Sequence, residues 1–188
     1  MAAKTTKYAI LILLGLVGCA GVPVFNANYD ASYLPGETRA NGPDITVLVR
    51  GNPSALPKAE FDRAVTDAMQ GWSAWPDHFT TEGNPNGAYR VVMIFNPPPT
   101  AGGPTLCSRP ETADAVAGAT GATRVPLVAA LCRGDYYISL ADGTVAAPGA
   151  APGAPLAGDF RTGIGLVTAS LFPSQNPQRL GAHDCGVC

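Results

Sequence analysis

The sequence predicts a small α/β domain, a two-layer sandwich in which two helices cover one face of a three- or four-stranded sheet. Two observations support this fold class: runs of β-branched residues separated by turn residues, and two segments with apolar residues at helical spacing. They follow one another in the order β-α-β-β-β-α. A chain of 188 residues is long enough for one such domain with flexible attachments.

Four segments have the composition of strands. Residues 45–50 are rich in β-branched residues and lie between Gly-Pro and Gly-Asn-Pro breaks, which bound a strand. Tyr89–Phe95 is almost continuously apolar and predicts a central strand covered by a helix. Residues 125–133 and 136–140 predict the last two strands. Gly134-Asp135 between them predicts a hairpin turn, with a single bent strand as the alternative.

Two segments predict helices. Residues 57–72 begin with Pro57, which suits the first helical position, and residues 159–171 begin with Asp159, which can cap a helix. Apolar side chains recur on one face of each segment. In the first helix we expect this face to be buried, and it comprises Phe61, Val65, Ala68, Met69 and Trp72. In the second it comprises Phe160, Ile164, Val167 and Leu171.

The predicted domain spans residues 44–173, and the segments that connect its predicted strands and helices are rich in Pro, Gly and Ala. Residues 97–122 form a long loop with Cys107 inside it, which we interpret as a flap tied to the sheet by a disulfide, with a helical turn expected at 111–117. Asp142-Gly143 predicts a turn. Residues 145–158 read as a low-complexity linker, and 174–188 as a polar tail that contains cysteines.

The first residues have the pattern of a secretory signal peptide, with Lys4 and Lys7 ahead of an apolar run. That run is shorter than the about 20 residues needed to span a bilayer. The ending Leu16-Val17-Gly18-Cys19 resembles the lipobox of bacterial lipoproteins. This resemblance implies that residues 1–18 are removed, that Cys19 carries acyl chains such as palmitate, and that residues 19–43 tether the domain to a membrane. An ordinary cleaved signal is the alternative.

The same resemblance bears on location. In bacterial lipoproteins the residue after the acylated cysteine influences sorting, and Ala20 implies the periplasmic face of the outer membrane rather than the inner membrane. Phe95-Asn96-Pro97-Pro98 and Leu131-Cys132-Arg133-Gly134-Asp135 are similar to segments of uncharacterised proteobacterial envelope proteins, a likeness that implies no activity. The tether contains Phe25, Tyr29 and Tyr33, and docking of these aromatics against the domain is an alternative to a free tether.

Four cysteines remain if Cys19 is acylated, and an even number outside the cytoplasm indicates disulfides. We favour Cys107–Cys132 together with Cys185–Cys188. A bridge from the tail to Cys107 or Cys132 is the alternative. The Cys-x-x-Cys at the end of the chain also permits a thiol-redox role, although no helix follows it to lower the thiol pKa. A metal site would use His183, Cys185 and Cys188, with Asp184 as a further candidate, but their spacing resembles only half of a standard four-ligand zinc site.

Composition argues against several function classes. The net charge is −2 and no basic patch is apparent, which disfavours nucleic-acid binding. His78 and His183 are the two histidines, and no Gly-x-Ser-x-Gly motif accompanies them. We therefore predict no catalytic residues and no cofactor. The predicted function is a lipid-anchored, non-catalytic binding or scaffolding domain with an envelope protein as partner; the alternative is a thiol-redox or metal-binding envelope protein.

Overall fold

The computed structural model describes residues 25–38, 42–73, 75, 78–84, 87–111, 122–149 and 156–178. Within these ranges the predicted mixed α/β fold is confirmed, with six strands and three helices. The strands are β1 (Asn26–Tyr29), β2 (Asp44–Arg50), β3 (His78–Thr80), β4 (Tyr89–Phe95), β5 (Arg124–Arg133) and β6 (Tyr136–Ala146). The helices are α1 (Lys58–Met69), α2 (Gly103–Ser108) and α3 (Gly158–Leu171).

The strands form one sheet in the order β1-β6-β5-β4-β2-β3. Strands β3, β2 and β4 are parallel to one another, and the remaining neighbours are antiparallel. The sheet therefore has six described strands, not the expected three or four. The two strands that the sequence did not predict, β1 and β3, are short edge strands whose sequences lack an alternating apolar pattern. They are recruited by pairing with longer neighbours.

One face of the sheet is covered by α1 and α3. Phe61 of α1, Phe95 of β4 and Phe160 of α3 are fully buried and meet one another, with ring centroids 5.2 to 6.0 Å apart. They belong to a continuous apolar cluster that extends over β2, β4, β5 and β6. The predicted arrangement of two helices on one face is therefore present, and this face contains the main core.

The opposite face carries a smaller apolar cluster beneath α2. Leu106 and Cys107 of this six-residue helix pack on Val92 and Ile94 of β4 and on Ala130 of β5. The sequence did not predict this helix at 103–108. Residues 112–117 of the expected turn lie outside the described residues.

Residues 25–38 differ from the expected tether. β1 pairs with β6, and Tyr33 is 1% exposed. The hydroxyl of Tyr29 donates to the carbonyl of Ser170, and that of Tyr33 donates to the carbonyl of Pro173. The aromatic side chains anchor this segment against the end of α3, because burying them removes a large apolar area from water. This is the docked alternative noted above.

Further differences concern the second half of the chain. Asp142-Gly143 makes no turn, since β6 continues to Ala146 and these two residues pair with Val128 and Leu127 of β5. Part of the expected linker is therefore strand, and Leu156 at its end is buried in the core. The hairpin at Gly134 is present, with a positive φ of 59° that suits glycine.

Both helix starts and one helix end also differ from expectation. The capping residue of α3 is Ala157, and no side chain caps this helix, so Asp159 lies inside the first turn. α1 begins at Lys58 and ends at Met69. Trp72 consequently lies beyond the helix and is 40% exposed, contrary to the prediction that it is in the core. Its indole covers Gly165 of α3, where a side chain would collide with the ring.

Candidate functional site

A disulfide ties the flap to the centre of the sheet. Cys107 of α2 and Cys132 of β5 are bonded with their Cα atoms 5.5 Å apart, which confirms the favoured pair and excludes a bridge from either residue to the tail. Both are fully buried, and a thiolate cannot attack a sulfur that it cannot reach. This disulfide is therefore structural. Cys19, His183, Cys185 and Cys188 lie outside the described residues.

Arg90 of β4 lies beneath the flap and is only 7% exposed. Its Nη2 donates to the carbonyl of Cys107 at 2.5 Å. Its Nε is buried and has no acceptor among the described residues. A buried guanidinium with unmet donors is costly, since its charge has lost water without gaining a full set of partners.

Arg50 lies on the same face, at the end of the neighbouring strand β2. The parallel register pairs Thr46 with Arg90 and Arg50 with Ile94, so Leu48 separates the two arginines along the face. The Nε of Arg50 is also buried without an acceptor, and the side chain has no hydrogen bond or ion pair within the described part of the chain.

Both arginines line a pocket of about 420 Å³ between the sheet, the flap and the β5–β6 hairpin. Its floor comes from the strands, one wall from the residues that follow α2, and the other wall from the hairpin turn. The lining residues are Leu48, Arg50, Arg90, Ser108, Pro110, Glu111, Gly134 and Asp135. This volume falls within the ordinary range for small-molecule sites.

The pocket has a basic floor and an acidic rim. Glu111 and Asp135 are exposed at its mouth, and neither forms an ion pair with Arg50 or Arg90 in the described residues. The ion pairs found there are elsewhere in the fold, Lys58–Asp62 and Arg133–Glu37, and Asp44 contacts the imidazole of His78. Within the described ranges, no direct contact neutralises the positive charge of the floor.

A second pocket of about 390 Å³ adjoins the first and shares Ser108 and Asp135 with it. Its other lining residues are Asp30, Pro104, Tyr136 and Tyr137. Tyr136 is 78% exposed and presents an aromatic surface at the mouth. The ring of Tyr137 lies directly against Gly103, where an added Cβ would be 2.5 Å from the ring. The close seating of the flap therefore requires glycine at this position.

The N-terminal segment closes the edge of the hairpin. Arg133 donates to Glu37 at 3.2 Å and to the hydroxyl of Ser32 at 3.1 Å. Burial raises the pKa of Glu37, and the neighbouring Arg133 only partly opposes this rise. Asp30, in the same segment, lines the second pocket, and hydrogen bonds from Ser32 lower its pKa.

His78 is the histidine that the structure describes. The Nδ1 of His78 is 3.0 Å from a carboxylate oxygen of Asp44, and both side chains are more than half exposed at the sheet edge. Within the described ranges no group of three or more His, Cys, Asp or Glu side chains has an arrangement that could hold a metal ion.

The sequence reasoning missed Arg50 and Arg90. The signal for Arg90 was present, because a charged residue interrupts the apolar run Tyr-Arg-Val-Val-Met-Ile-Phe of the predicted central strand. Such a strand is buried on both faces, so its arginine needs either a partner or a cavity. The position of Arg50 next to it depends on the parallel pairing of β2 with β4, which the sequence did not indicate.

None of the helices described in the structure is long and apolar enough to cross a membrane. Comparison with protein families, with curated proteins and with solved structures finds no match to this chain.

Proposed function

We propose that this chain is a non-catalytic binding domain of the bacterial cell envelope, held at a membrane by acyl chains on Cys19. The buried Cys107–Cys132 disulfide is the observation that carries the proposal. Disulfides persist in oxidising compartments and are rare in the cytosol. An exported domain agrees with the basic head, the apolar run and the lipobox-like ending of residues 1–19.

The binding surface in this proposal is the flap-covered face of the sheet. It combines an open pocket with unpaired guanidinium donors and an adjoining aromatic surface at Tyr136. Among the lining residues that the structure describes, no nucleophile is paired with an activating base, as nucleophilic catalysis would require. A pocket that offers charge and shape without such chemistry favours binding over catalysis.

Lipid attachment would keep the domain near the membrane. Residues 19–25, even when fully extended, reach about 25 Å at ~3.5 Å per residue. Each buried methylene of an acyl chain contributes ~0.8 kcal/mol to membrane binding, so two or three chains make attachment stable. We propose the periplasmic face of the outer membrane because of Ala20.

Membrane fractionation and mass spectrometry of the native protein test the anchor. We expect the protein in the membrane fraction, released by detergent but not by salt, with an N-terminal peptide that begins at acylated Cys19. Cys19→Ser should leave the leader uncleaved and unacylated, whereas Ala20→Ser, a matched control next to it, should still be processed. Native protein with Met1 retained and Cys19 unmodified would contradict the proposal.

Site-specific photo-crosslinking in intact cells tests the binding surface. A photoreactive side chain at Tyr136 should give one reproducible adduct with an envelope component. The same group at Arg63, which is exposed on α1 over the opposite face, serves as the control and should give none. Identical diffuse adducts from both positions would count against a binding role for the flap-covered face.

A further inference from the structure

We infer that the pocket between the flap and the hairpin binds the free carboxylate of an amino acid or short peptide, with Arg50 as its principal donor. The inference rests on the binding function proposed above and names the class of ligand. It is carried by three features of the described residues: unmet guanidinium donors, the distribution of charge around them, and the aromatic surface beside them.

Arg50 is the group best placed to meet a ligand. It lines the pocket and is only partly buried, and no described residue accepts a hydrogen bond from it. A guanidinium group carries five N–H donors in a planar fork that matches the two oxygens of a carboxylate. Charge-assisted pairs of this kind are shorter and stronger than neutral hydrogen bonds.

Arg90 supports the same chemistry from below. It is more than nine-tenths buried, lines the pocket, and gives one described hydrogen bond, to the carbonyl of Cys107. The flap therefore fixes one end of its guanidinium group while its Nε lacks an acceptor. A second positive charge in a poorly solvated floor strengthens the attraction for an anion.

The acidic rim selects among anions. Glu111 and Asp135 stand at the mouth of the pocket, where they repel a ligand with several negative charges, such as a phosphorylated polymer. The same carboxylates attract an amino group. A basic floor below an acidic rim complements a molecule that carries one carboxylate and one ammonium group, as amino acids and short peptides do.

The adjoining pocket gives room for a side chain. It shares Ser108 and Asp135 with the arginine pocket, and its other described lining residues are Asp30, Pro104, Tyr136 and Tyr137. A residue whose carboxylate lies near Arg50 can direct an aromatic or apolar side chain toward these rings, which offer apolar area with few rotatable bonds. We therefore expect a preference for a bulky C-terminal residue.

Isothermal titration calorimetry of the native protein, solubilised in detergent, tests the inference. The probe is the dipeptide alanyl-tyrosine, and it is compared with its C-terminal amide and with inorganic phosphate. We expect the free carboxylate form to bind about tenfold or more tightly than the amide, since the amide cannot form the charge-assisted pair. Phosphate should bind more weakly than the dipeptide because the rim repels its second charge.

Arginine variants test which side chain donates hydrogen bonds to the carboxylate of the dipeptide. Arg50→Gln should weaken dipeptide binding about tenfold or more, and Arg50→Lys should retain part of the affinity because it keeps the charge but not the fork. Arg63→Gln makes the same charge change on the opposite face and should have no effect. Arg90→Gln should also weaken binding, and its urea unfolding curve shows whether the fold is intact.

Equal affinity for the dipeptide and its amide would overturn the inference, as would binding that survives Arg50→Gln. The absence of binding at millimolar dipeptide would overturn it too, and tighter binding of phosphate would replace the carboxylate assignment. These outcomes are separate from a failure of the proposed function. A partner cross-linked through Tyr136 without dipeptide binding would keep the binding role and reject the ligand class.

Discussion

The two faces of the sheet are built by different means. On one face, the 12-residue α1 and the 14-residue α3 bury a continuous apolar layer that includes five phenylalanine rings. On the other, the six-residue α2 covers a smaller cluster and is held by a disulfide. The first face gains its stability from hydrophobic burial, and the second is covalently closed over a partly polar surface.

Strand β4 shows the difference within seven residues. Val91, Met93 and Phe95 point to the helix-covered face and join its core, whereas Arg90, Val92 and Ile94 point to the flap. Successive side chains of a strand point to opposite faces of the sheet. A residue in the core is therefore followed in the sequence by a residue on the flap-covered face. A face closed by a disulfide can keep a polar cavity because it does not depend on close apolar packing alone.

The largest expected effect comes from breaking the helix-covered face. Phe160→Ala should lower the free energy of unfolding by about 3–5 kcal/mol, because it removes a buried ring that contacts Phe61 and Phe95. Phe160→Leu, which keeps most of the apolar volume, should cost less. Urea unfolding measures both. A loss below about 1 kcal/mol for Phe160→Ala would show that this cluster is not the main source of stability.

The next effect comes from opening the other face. Replacing Cys107 and Cys132 together by alanine frees a loop with a sequence separation of 25, which should lower the free energy of unfolding by about 3.5 kcal/mol in the chain-entropy model. The matched comparison is the unmodified chain unfolded with and without reductant. The double variant should also lose dipeptide binding, since the flap forms one wall of the pocket. Retained binding would show that the flap stays seated without the bond.

Gly103→Ala should give a smaller loss, about 1–3 kcal/mol, which is typical of overpacking. The added Cβ would be 2.5 Å from the ring of Tyr137 and would lift α2 from the sheet. Gly102→Ala is a matched control, because a Cβ at this neighbouring glycine meets nothing within 4 Å. Urea unfolding and dipeptide titration compare the two variants. Equal effects would mean that the contact with Tyr137 does not seat the flap.

Sequence reasoning predicted the helix-covered face better than the flap-covered one. Apolar periodicity located α1 and α3, and a continuous apolar run located β4. In each of these elements the apolar residues of the sequence pattern are the ones that are buried. Trp72 was misplaced because the helix ends at Met69, before the apolar spacing does. The residue at which a helix ends depends on local backbone geometry, and the spacing of apolar residues does not predict that geometry.

The flap-covered face depends on pairings that are distant in sequence. Cysteine pairing favoured the bond between Cys107 and Cys132, but α2 has few residues and no apolar period to reveal it. The pocket depends on the parallel alignment of Arg50 beside Ile94 and on the hairpin that brings Asp135 to the rim. β1 was missed for a similar reason, since its pairing with β6 follows from the docking of Tyr29 and Tyr33 rather than from its own sequence.

The smallest expected effect concerns the segment that joins the two faces. Residues 25–38 place Tyr33 in the core of the helix-covered face and Asp30 in the second pocket, while Glu37 pairs with Arg133. Burial raises the pKa of Glu37 above its ordinary value near 4.5. The folded state therefore binds a proton at Glu37 more tightly than the unfolded state does. The stability from this group is complete below the ordinary pKa and is lost as the pH rises through the raised one.

Glu37→Gln should remove that dependence. We expect the variant to be more stable than the unmodified chain near neutral pH, because it no longer buries a charge. The gain should be less than about 1 kcal/mol, because the variant also loses the ion pair with the partly exposed Arg133. Below the ordinary pKa of Glu37 the difference should vanish. Urea unfolding between pH 4 and pH 7 measures it, and Glu60→Gln on the exposed side of α1 is the control for a lost carboxylate. Destabilisation by Glu37→Gln at neutral pH would contradict this prediction. It would show that the ion pair with Arg133 stabilises the fold by more than burial of the Glu37 carboxylate destabilises it, and that this ion pair attaches residues 25–38 to the hairpin.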